Sequence, residues 1–510
     1  MVPLRQDTNR HDMIVANIHH RSLLAGLSFA LVLLSGCREE FLDRNPRGQL
    51  TFDTFFQNEE QAVQAVNAVY AKFRTWELSA FPWLGLTDII SDDADKGSTP
   101  NDALYMLDLD EFTFDPTNPA FAAAWSGHYQ TIFRANLAIE NLPSVDMDAA
   151  LRDRLAAEAR FLRALCYFRL VQWFGDVPLL TQPLAADAYF TQERSPVDAV
   201  YAQIEADLRA ALDALPEKSA YADKDLGRAT KGAARGILAK VLMTRQDFAA
   251  AAEQCLAIIQ SGEYALLPRY ADNFLPVGEN GSESVFEIGA VAVQSAVAGP
   301  GATPYNMVQG VRGVPNLGWG FNRPSDDLVA AYEAGDPRRQ ATIIYVGEVL
   351  PDGSTVVEDN PDILNERYNQ KAWVPDHPGL QDNGPGNLRL LRYADILLLA
   401  AEALNETGAS AEALPFLNQV RARARGTNNF ILPDVTTTDQ DLLRELIRRE
   451  RRIELAMEQH RWFDLVRWGR AAEVMQAVGK PFVAGKHELL PLPQSEIDLS
   501  AGKLRQNPLY

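Results

Sequence analysis

Apolar residues recur every three or four positions over several long segments of the chain, as they do on the buried face of an amphipathic helix. This spacing predicts helices over residues 59–76, 121–142 and 151–174. Gly175 and Pro178 follow the third segment, and both residue types commonly end helices. The first third of the chain is therefore expected to be a series of packed helices.

Two later stretches have the pattern of a helix, a tight turn and a second helix. The first pair covers residues 229–243 and 247–260, and the second covers residues 390–404 and 411–425. Alanine recurs at equivalent positions of the two pairs, and such small residues let antiparallel helices approach closely, as in tetratricopeptide repeats. The pattern predicts a mainly α-helical scaffold of tetratricopeptide-like helix pairs.

Helical spacing is lost in two regions. Residues 76–119 alternate aromatic and polar residues, and residues 276–387 are rich in glycine and proline. In the second region we expect only short strands, such as 284–288 and 341–346. Loops held by a rigid frame commonly carry binding residues, so both regions are candidates for a ligand site.

The segment 447–468 also has helical spacing, but its apolar face includes two glutamates. Read as one helix, it aligns Glu450 and Glu454 with Ile447 and Met457. A buried carboxylate needs a hydrogen-bonding cation, and six arginines are close in sequence. These are Arg448, Arg449, Arg451, Arg452, Arg461 and Arg467. We interpret the pattern as an ion network that clamps helices together, the alternative being a ligand or catalytic role.

Five stretches of the sequence resemble the SusD/RagB family of nutrient-binding outer-membrane lipoproteins. They are EARFLRALCYFRLVQWFGDVPLL at 158–180, GRATKGAARGILAKVLM at 227–243, LRYADILLLAAEALNETG at 391–408, ERRIELAMEQHRWFDLVRW at 450–468 and ELLPLPQSEIDLSAGKLRQNPLY at 488–510. Leu509 stands where the family usually has glycine. The resemblance extends over most of the chain, and its motifs concern the scaffold and leave the ligand open.

The resemblance implies one domain over residues 37–510. In it, a helical scaffold at about 50–275 and 388–475 carries an inserted, loop-rich and short-strand ligand-binding region at about 276–387. An extended tail at about 480–510 completes the domain.

The N-terminal region indicates export and lipid attachment. Arg21 precedes the apolar run 23–34, which is too short to span a bilayer as a helix. The Leu-Ser-Gly-Cys sequence ending at Cys37 resembles a bacterial lipobox, so we expect residues 1–36 to be removed as a signal peptide and Cys37 to be acylated. Translation from Met13 is an alternative start. The next residues, Arg-Glu-Glu, are similar to a tag that directs Bacteroidetes lipoproteins to the outer face of the outer membrane.

The formal net charge of −20 at pH 7 argues against a nucleic-acid partner, because phosphate binding needs a basic field. Neutral sugars are compatible with this charge. The sequence has no cluster of cysteine and histidine, so we expect no metal site and no cofactor. Cys166 and Cys255 lie in apolar helical contexts, which predicts buried free thiols. No common catalytic motif is present, and we expect a protein that is not an enzyme.

Sugar binding requires aromatic rings and hydrogen-bonding side chains at a surface. A pyranose packs its C–H face on an aromatic ring, and its hydroxyls bind Asp, Asn, Lys or Arg. Both irregular regions offer such residues, and GWGFNRP at 318–324 places two rings among glycines. The predicted ligand-binding residues are Trp83, Asp92, Asp93, Lys96, Tyr305, Asn306, Trp319, Phe321 and Asn322. The alternative is that some of these rings are buried lids over the helix pairs.

The resemblance implies a protein that captures oligosaccharides and delivers them to a SusC-type TonB-dependent outer-membrane transporter. Peptide capture for a similar importer is an alternative within this class. An exported glycan hydrolase is a second alternative and predicts carboxylates that converge in one pocket. A helical-repeat scaffold that recruits other proteins predicts instead a helix-lined groove without exposed aromatic rings.

Overall fold

Helices dominate the residues that the computed structural model describes, which are 55–185, 188–291, 301–313, 318–358, 365–375 and 384–510. The helices are α1 (Glu59–Lys72), α2 (Trp76–Ser79), α3 (Phe81–Leu84), α4 (Leu104–Asp110), α5 (Pro119–Asn141), α6 (Ala149–Phe174), α7 (Val197–Ala214), α8 (Lys231–Thr244), α9 (Phe248–Ser261), α10 (Tyr305–Gln309), α11 (Asp326–Ala331), α12 (Arg338–Thr342), α13 (Tyr393–Glu406), α14 (Ser410–Arg425), α15 (Gln440–Leu455), α16 (Arg461–Arg467), α17 (Ala471–Ala477) and α18 (Gln494–Leu499). The strands are β1 (Ala94–Gly97), β2 (Ser284–Ile288), β3 (Phe321–Pro324), β4 (Ile343–Tyr345), β5 (Arg367–Asn369) and β6 (Leu388–Arg392). The predicted mainly α-helical fold is confirmed. Cys37, the predicted signal peptide and Met13 lie outside the described residues.

The long helices pack in series, each against the next one along the chain. Helix α5 packs on α6, α6 on α7, α7 on α8 and α8 on α9. Helix α9 then packs on α13, and α13 packs on α14 and α15. The two helical stretches therefore form one scaffold across the irregular region that separates them in sequence.

Side-chain caps start the main helices. Asn58, Asp148, Thr230, Asp247 and Asp439 each accept a hydrogen bond from the backbone N–H three residues further on. Each cap satisfies a donor that the first helical turn leaves without an internal partner. The polar residue types at these positions thus fix where the helices begin.

The two predicted helix pairs are present as α8 with α9 and α13 with α14. The second pair begins at Tyr393, later than predicted, because residues 388–392 form β6. Small residues bring the elements close: a methyl group at Gly236 in α8 would lie 2.3 Å from Leu391 Cδ2. A larger residue at this position would require the Leu391 side chain to move.

The short strands form antiparallel pairs, which in the described residues are β1 with β3, β2 with β6 and β4 with β5. The predicted strand at 284–288 is confirmed as β2, whereas the one predicted at 341–346 is shorter, Ile343–Tyr345. Pairing of β2 with β6 attaches the start of the irregular region to the residues that lead into α13. Pairing of β1 with β3 joins the two irregular regions to each other.

The segment 447–468 is not one helix, contrary to the prediction. Helix α15 ends before a turn, and α16 follows it. In the turn, Met457 and Gln459 have left-handed backbones with φ values of 61° and 64°. The turn carries the Gln459 amide to Asp88, with Nε2 2.6 Å from Oδ2. A contact made only in the tertiary structure thus replaces the local helical hydrogen bonds.

Glu450 and Glu454 are buried and paired with arginines, as the sequence indicated, but the arginines come from other elements. Arg338 Nη1 lies 2.5 Å from Glu450 and 3.1 Å from Glu454. Arg392 Nη1 lies 3.2 Å from Glu454, and Arg423 contacts the same carboxylate. These five side chains form the central ion network. It connects α12 of the irregular region with β6, α14 and α15.

Of the six arginines predicted as partners within the segment, Arg449 donates to the backbone carbonyl of Ala331, and the other five bind other carboxylates. The pairs are Arg451 with Asp395 and Asp464, Arg452 with Asp93, Arg461 with Asp92, Arg467 with Glu402, and Arg448 with Glu445. Helical geometry explains the difference. Neighbouring positions on a helix point in different directions, so the arginines next to Glu450 and Glu454 face other parts of the protein.

Cys166 and Cys255 are buried free thiols, as predicted. Within the described ranges, no helix is both long enough and apolar enough to cross a membrane.

Replacing the central glutamate tests the ion network. We expect Glu454→Gln to lower the free energy of unfolding by about 3–5 kcal/mol, because it leaves buried guanidinium groups without a counter-charge. Urea denaturation measures the change. The control is Glu473→Gln, which removes an exposed pair with Arg470 and should have little effect. Equal midpoints for the two variants would contradict this role for Glu454.

The pH dependence of the free energy of unfolding tests the role of Glu458, which shares Arg392 with the central ion network. Although burial opposes ionisation, Arg392 and Lys371 lower the pKa of Glu458 to about 2. A carboxylate with a depressed pKa in the folded state contributes stability that is complete above its ordinary pKa of 4.5 and is lost as the pH falls towards 2. We expect the unfolding free energy to fall between pH 5 and pH 3, and to fall less steeply in Glu458→Gln. Parallel pH profiles for the two proteins would disprove this assignment.

Candidate functional site

The two irregular regions meet at the β1–β3 pair. Gly97 of β1 lies opposite Phe321 of β3. Ser98 N donates to Gly320 O at 2.7 Å, and a methyl group at Gly97 would lie 2.4 Å from the same oxygen. Gly97 also has a left-handed φ of 71°. Glycine at this position is therefore required for the two regions to come together.

Half-buried aromatic side chains cluster beside this strand pair. The rings of Trp76 and Trp319 are stacked, with centroids 5.4 Å apart and planes 28° apart. The Phe81 centroid lies 5.9 Å from that of Trp319 and 6.1 Å from that of Tyr105. Each of these rings keeps part of its surface in solvent. We call the four rings of Trp76, Phe81, Tyr105 and Trp319 the aromatic platform.

Local structure positions the platform rings. Helix α1 ends at Lys72 and not at residue 76 as predicted, so Trp76 and Phe81 lie on the separate short helices α2 and α3. Trp319 precedes β3, and its backbone N–H donates to Met307 O at 2.9 Å. The rings are thus held by fixed backbone although they lie in irregular parts of the sequence.

Phe321 and Lys96 support the platform from inside the protein. Phe321 is 1% exposed, and its centroid lies 4.7 Å from that of Phe81. Lys96 is 4% exposed, and its Nζ donates to the carbonyls of Thr99 and Asp102, each at 2.7 Å. The prediction that Phe321 and Lys96 contact a ligand is corrected, because their burial leaves almost no surface for one.

Two charged side chains lie next to Trp319 and reach solvent. Arg312 Nη1 donates to Trp319 O at 3.2 Å and to Asp102 Oδ2 at 3.0 Å. The side chains of Arg312 and Asp102 are 28% and 40% exposed. A donor and an acceptor for hydroxyl groups therefore stand beside the platform.

Asp92 and Asp93 lie in the interior. Arg461 donates to both oxygens of Asp92, at 2.8 and 2.7 Å, and Arg452 Nε donates to Asp93 at 2.8 Å. Burial opposes ionisation of Asp92, but Arg461 and Arg452 hold its pKa below the usual value, whereas burial raises the pKa of Asp93. The prediction that these carboxylates bind a ligand is corrected, because side chains enclosed with arginines cannot reach a sugar hydroxyl.

Tyr305, Asn306 and Asn322 are also buried. Tyr305 OH donates to Gln459 Oε1 at 3.2 Å, and Asn306 Nδ2 donates to a backbone carbonyl at 2.9 Å. Asn322 Nδ2 donates to Asp88 Oδ2 at 3.0 Å. These three residues were predicted to contact a ligand; in the structure they make internal hydrogen bonds instead.

Trp83 is 5% exposed and lies on α3, two residues after the platform residue Phe81, with its side chain packed against α6. Its ring centre is 3.8 Å from the guanidinium carbon of Arg169 and 6.0 Å from the ring centre of Trp173. It is one of the buried lids that the sequence left as an alternative, and its predicted ligand contact is corrected.

The platform contains one residue of the predicted set, Trp319. Trp76, Phe81 and Tyr105 were missed as site residues, although they belong to the aromatic-rich region that the sequence singled out. The sequence alone does not show that these three rings reach solvent, which is why they were not selected. In the described part of the chain, no group of three or more histidine, cysteine, aspartate or glutamate residues is arranged to hold a metal ion.

Comparison with protein families gives two matches. The SusD family model matches residues 282–510. A second model, described as starch-binding and associating with the outer membrane, matches residues 40–243. Together they cover most of the helical scaffold, with residues 244–281, which include α9, between the two matches.

Individual proteins resemble the chain over nearly its whole length. SusD-like protein P2 of Formosa agariphila is 32% identical, and the alignment covers 95% of this chain and 99% of that protein. A laminarin-binding SusD-like protein of known structure is 31% identical, with a TM-score of 0.76 over 89% of this chain and 100% of its own. Surface glycan-binding protein A of Bacteroides thetaiotaomicron, solved with laminarihexaose, is 26% identical, with a TM-score of 0.73 over 88% of this chain and 100% of its own.

A stability measurement tests the structural role of Asp92. We expect Asp92→Asn to lower the free energy of unfolding by about 3 kcal/mol, because Arg461 and Arg452 lose a buried counter-charge. Urea denaturation provides the measurement, and Asp153→Asn, at an exposed carboxylate in the same chain, is the control. An Asp92→Asn variant as stable as the control would restore Asp92 as a candidate ligand contact.

Proposed function

The chain belongs to the SusD family, and we propose that it binds a neutral oligosaccharide on the aromatic platform. The observation that carries the proposal is the clustering of four half-buried rings, contributed by both irregular regions, on a rigid helical scaffold. Exposed aromatic rings in contact with one another offer a surface for the C–H faces of successive pyranose units. The helical-repeat alternative predicted no such cluster.

Hydroxyl groups of the bound sugar would bind Asp102 and Arg312. These two side chains already contact each other at 3.0 Å, and Arg312 also contacts the backbone of Trp319. They are therefore oriented before the ligand arrives, which reduces the entropy lost on binding. Stacking supplies most of the affinity in this arrangement, and the two polar groups select the orientation of the sugar.

A glucan is the first ligand to test. One relative is a laminarin-binding protein and another was solved with laminarihexaose, while one family model is described as starch-binding. The net charge of −20 also disfavours polyanionic glycans. Laminarihexaose and maltohexaose represent the two linkage types that these descriptions suggest.

In the cell, this function places the protein on the outer face of the outer membrane, anchored through acylated Cys37. The lipobox-like sequence supports the anchor, and the family model described as associating with the outer membrane supports the location. From there the protein would pass its ligand to a SusC-type TonB-dependent transporter. Tethering beside a pore raises the effective concentration of ligand without requiring tight binding.

A tryptophan substitution tests the platform. We expect Trp319→Ala to weaken glucan binding at least about tenfold, because a central aromatic ring contributes a large share of such a binding energy. Isothermal titration with laminarihexaose and maltohexaose measures the change. The control is Phe430→Ala, which removes a fully exposed ring from the loop after α14.

The results of these titrations distinguish a different binding site for the glycan from a different function of the protein. If the Trp319→Ala variant binds the glucans with the affinity of the wild-type protein, the glycan binds elsewhere on the protein. Absence of binding to either glucan, together with binding of a peptide, would favour peptide capture. Release of reducing sugar from the glucans would indicate a hydrolase and contradict a purely binding role.

A further inference from the structure

Arg169, in α6, is a buried arginine that has no counter-charge in the part of the chain that the structure describes. It is 3% exposed, and no carboxylate among the described residues forms an ion pair with it. Its Nη1 is buried and has no hydrogen-bond acceptor within the described ranges. Arg163, in the same helix, shows the usual arrangement, because it binds both oxygens of Asp207 at 2.8 and 2.7 Å.

The groups around Arg169 do not neutralise it. Its guanidinium carbon lies 3.8 Å from the ring centre of Trp83 and 5.5 Å from that of Phe73, and rings attract a cation without cancelling its charge. Burial raises the pKa of Cys166 to about 12, and burial and Arg169 lower the pKa of His128 to about 3, so both groups are neutral at pH 7. Burial lowers the pKa of Arg169 itself to about 10, which still leaves it protonated.

Arg169 lines a cavity of about 60 Å³ together with Trp83, whose indole Nε1 is a second buried donor without a partner. Gln172, Lys240 and Thr244 also line the cavity and are half-buried, so it is open to solvent ions. The volume suits a small ion with a few waters and is far too small for a sugar.

The other charged groups of the cavity wall are already paired. Glu458 binds Arg392 and Lys371, and Asp464 binds Arg451 and Arg467. Lys240 binds Asp395 at 2.9 Å, and burial lowers the pKa of His460 to about 3, so its ring is neutral. Of the charged residues that line the cavity, Arg169 is thus the one that lacks a counter-charge among the described residues.

We propose that this cavity is a binding site for a small monovalent anion, of which chloride is the probe, with Arg169 Nη1 and Trp83 Nε1 as donors. A water molecule in the same place would satisfy the hydrogen bonds and leave the buried charge uncompensated, which is the costlier state. The anion contributes to the stability of the scaffold. It is independent of the glycan platform.

Thermal unfolding in sodium chloride and in sodium gluconate at equal ionic strength tests the site, because gluconate is too large for the cavity. We expect the Tm to rise by about 1–2 °C for each tenfold increase in chloride above its Kd. Arg169→Met should abolish the difference between the two salts. Arg160→Met, at a half-buried arginine of the same helix, should preserve it.

Crystals of the wild-type protein grown in sodium bromide give a second readout that does not depend on a variant that folds. An anomalous peak within hydrogen-bonding distance of Arg169 Nη1 supports the proposal. Water alone at that position, or a chloride effect that persists in Arg169→Met, overturns it.

Discussion

Glu454 is the point at which the helical scaffold and the irregular region are bound together. Its carboxylate is fully buried and meets Arg338 from α12, Arg392 from β6 and Arg423 from α14. Each of these ions loses its hydration on burial, and only the complete set of partners offsets that cost. Opening any one segment would leave the remaining charges uncompensated. A region with little regular secondary structure is therefore held nearly as firmly as the helices.

The same kind of contact holds the other irregular region. Asp92 and Asp93, just before β1, bind Arg461 and Arg452 near the end of the scaffold. Because both regions are fixed in this way, β1 can pair with β3 and bring distant aromatic residues into one cluster. Rings that are already in place lose little conformational freedom when a ligand binds. Buried ion pairs thus hold in place the aromatic rings that form the platform.

Arg169 differs from the other buried arginines in the way its charge is compensated. Elsewhere in the described scaffold, buried arginines such as Arg163 and Arg451 bind carboxylates of the chain. Arg169 is instead packed against aromatic rings beside a small open cavity. Aromatic packing places the guanidinium, and an ion from solution completes its electrostatic environment.

The sequence by itself determined the helical architecture, because the spacing of apolar residues is a local property that survives without knowledge of the fold. It also marked Glu450 and Glu454 as buried charges, since carboxylates in line with the apolar residues of a helix face follow those residues into the interior. The inference that these two glutamates pair with arginines of the same segment was wrong. Arg338 lies 116 residues from Glu454, and no local pattern indicates which distant segment will supply a partner.

Which aromatic residues stay exposed was decided only by the tertiary structure. Trp319 and Phe321 are two residues apart in one short motif, yet Trp319 is half-buried and Phe321 is 1% exposed. Phe321 is covered by Phe81 on one part of its ring and by Lys96, whose Nζ lies 5.4 Å from the ring centre, and both residues come from the other irregular region. Exposure depends on what the rest of the chain places over a side chain, and that information is absent from the residues next to it.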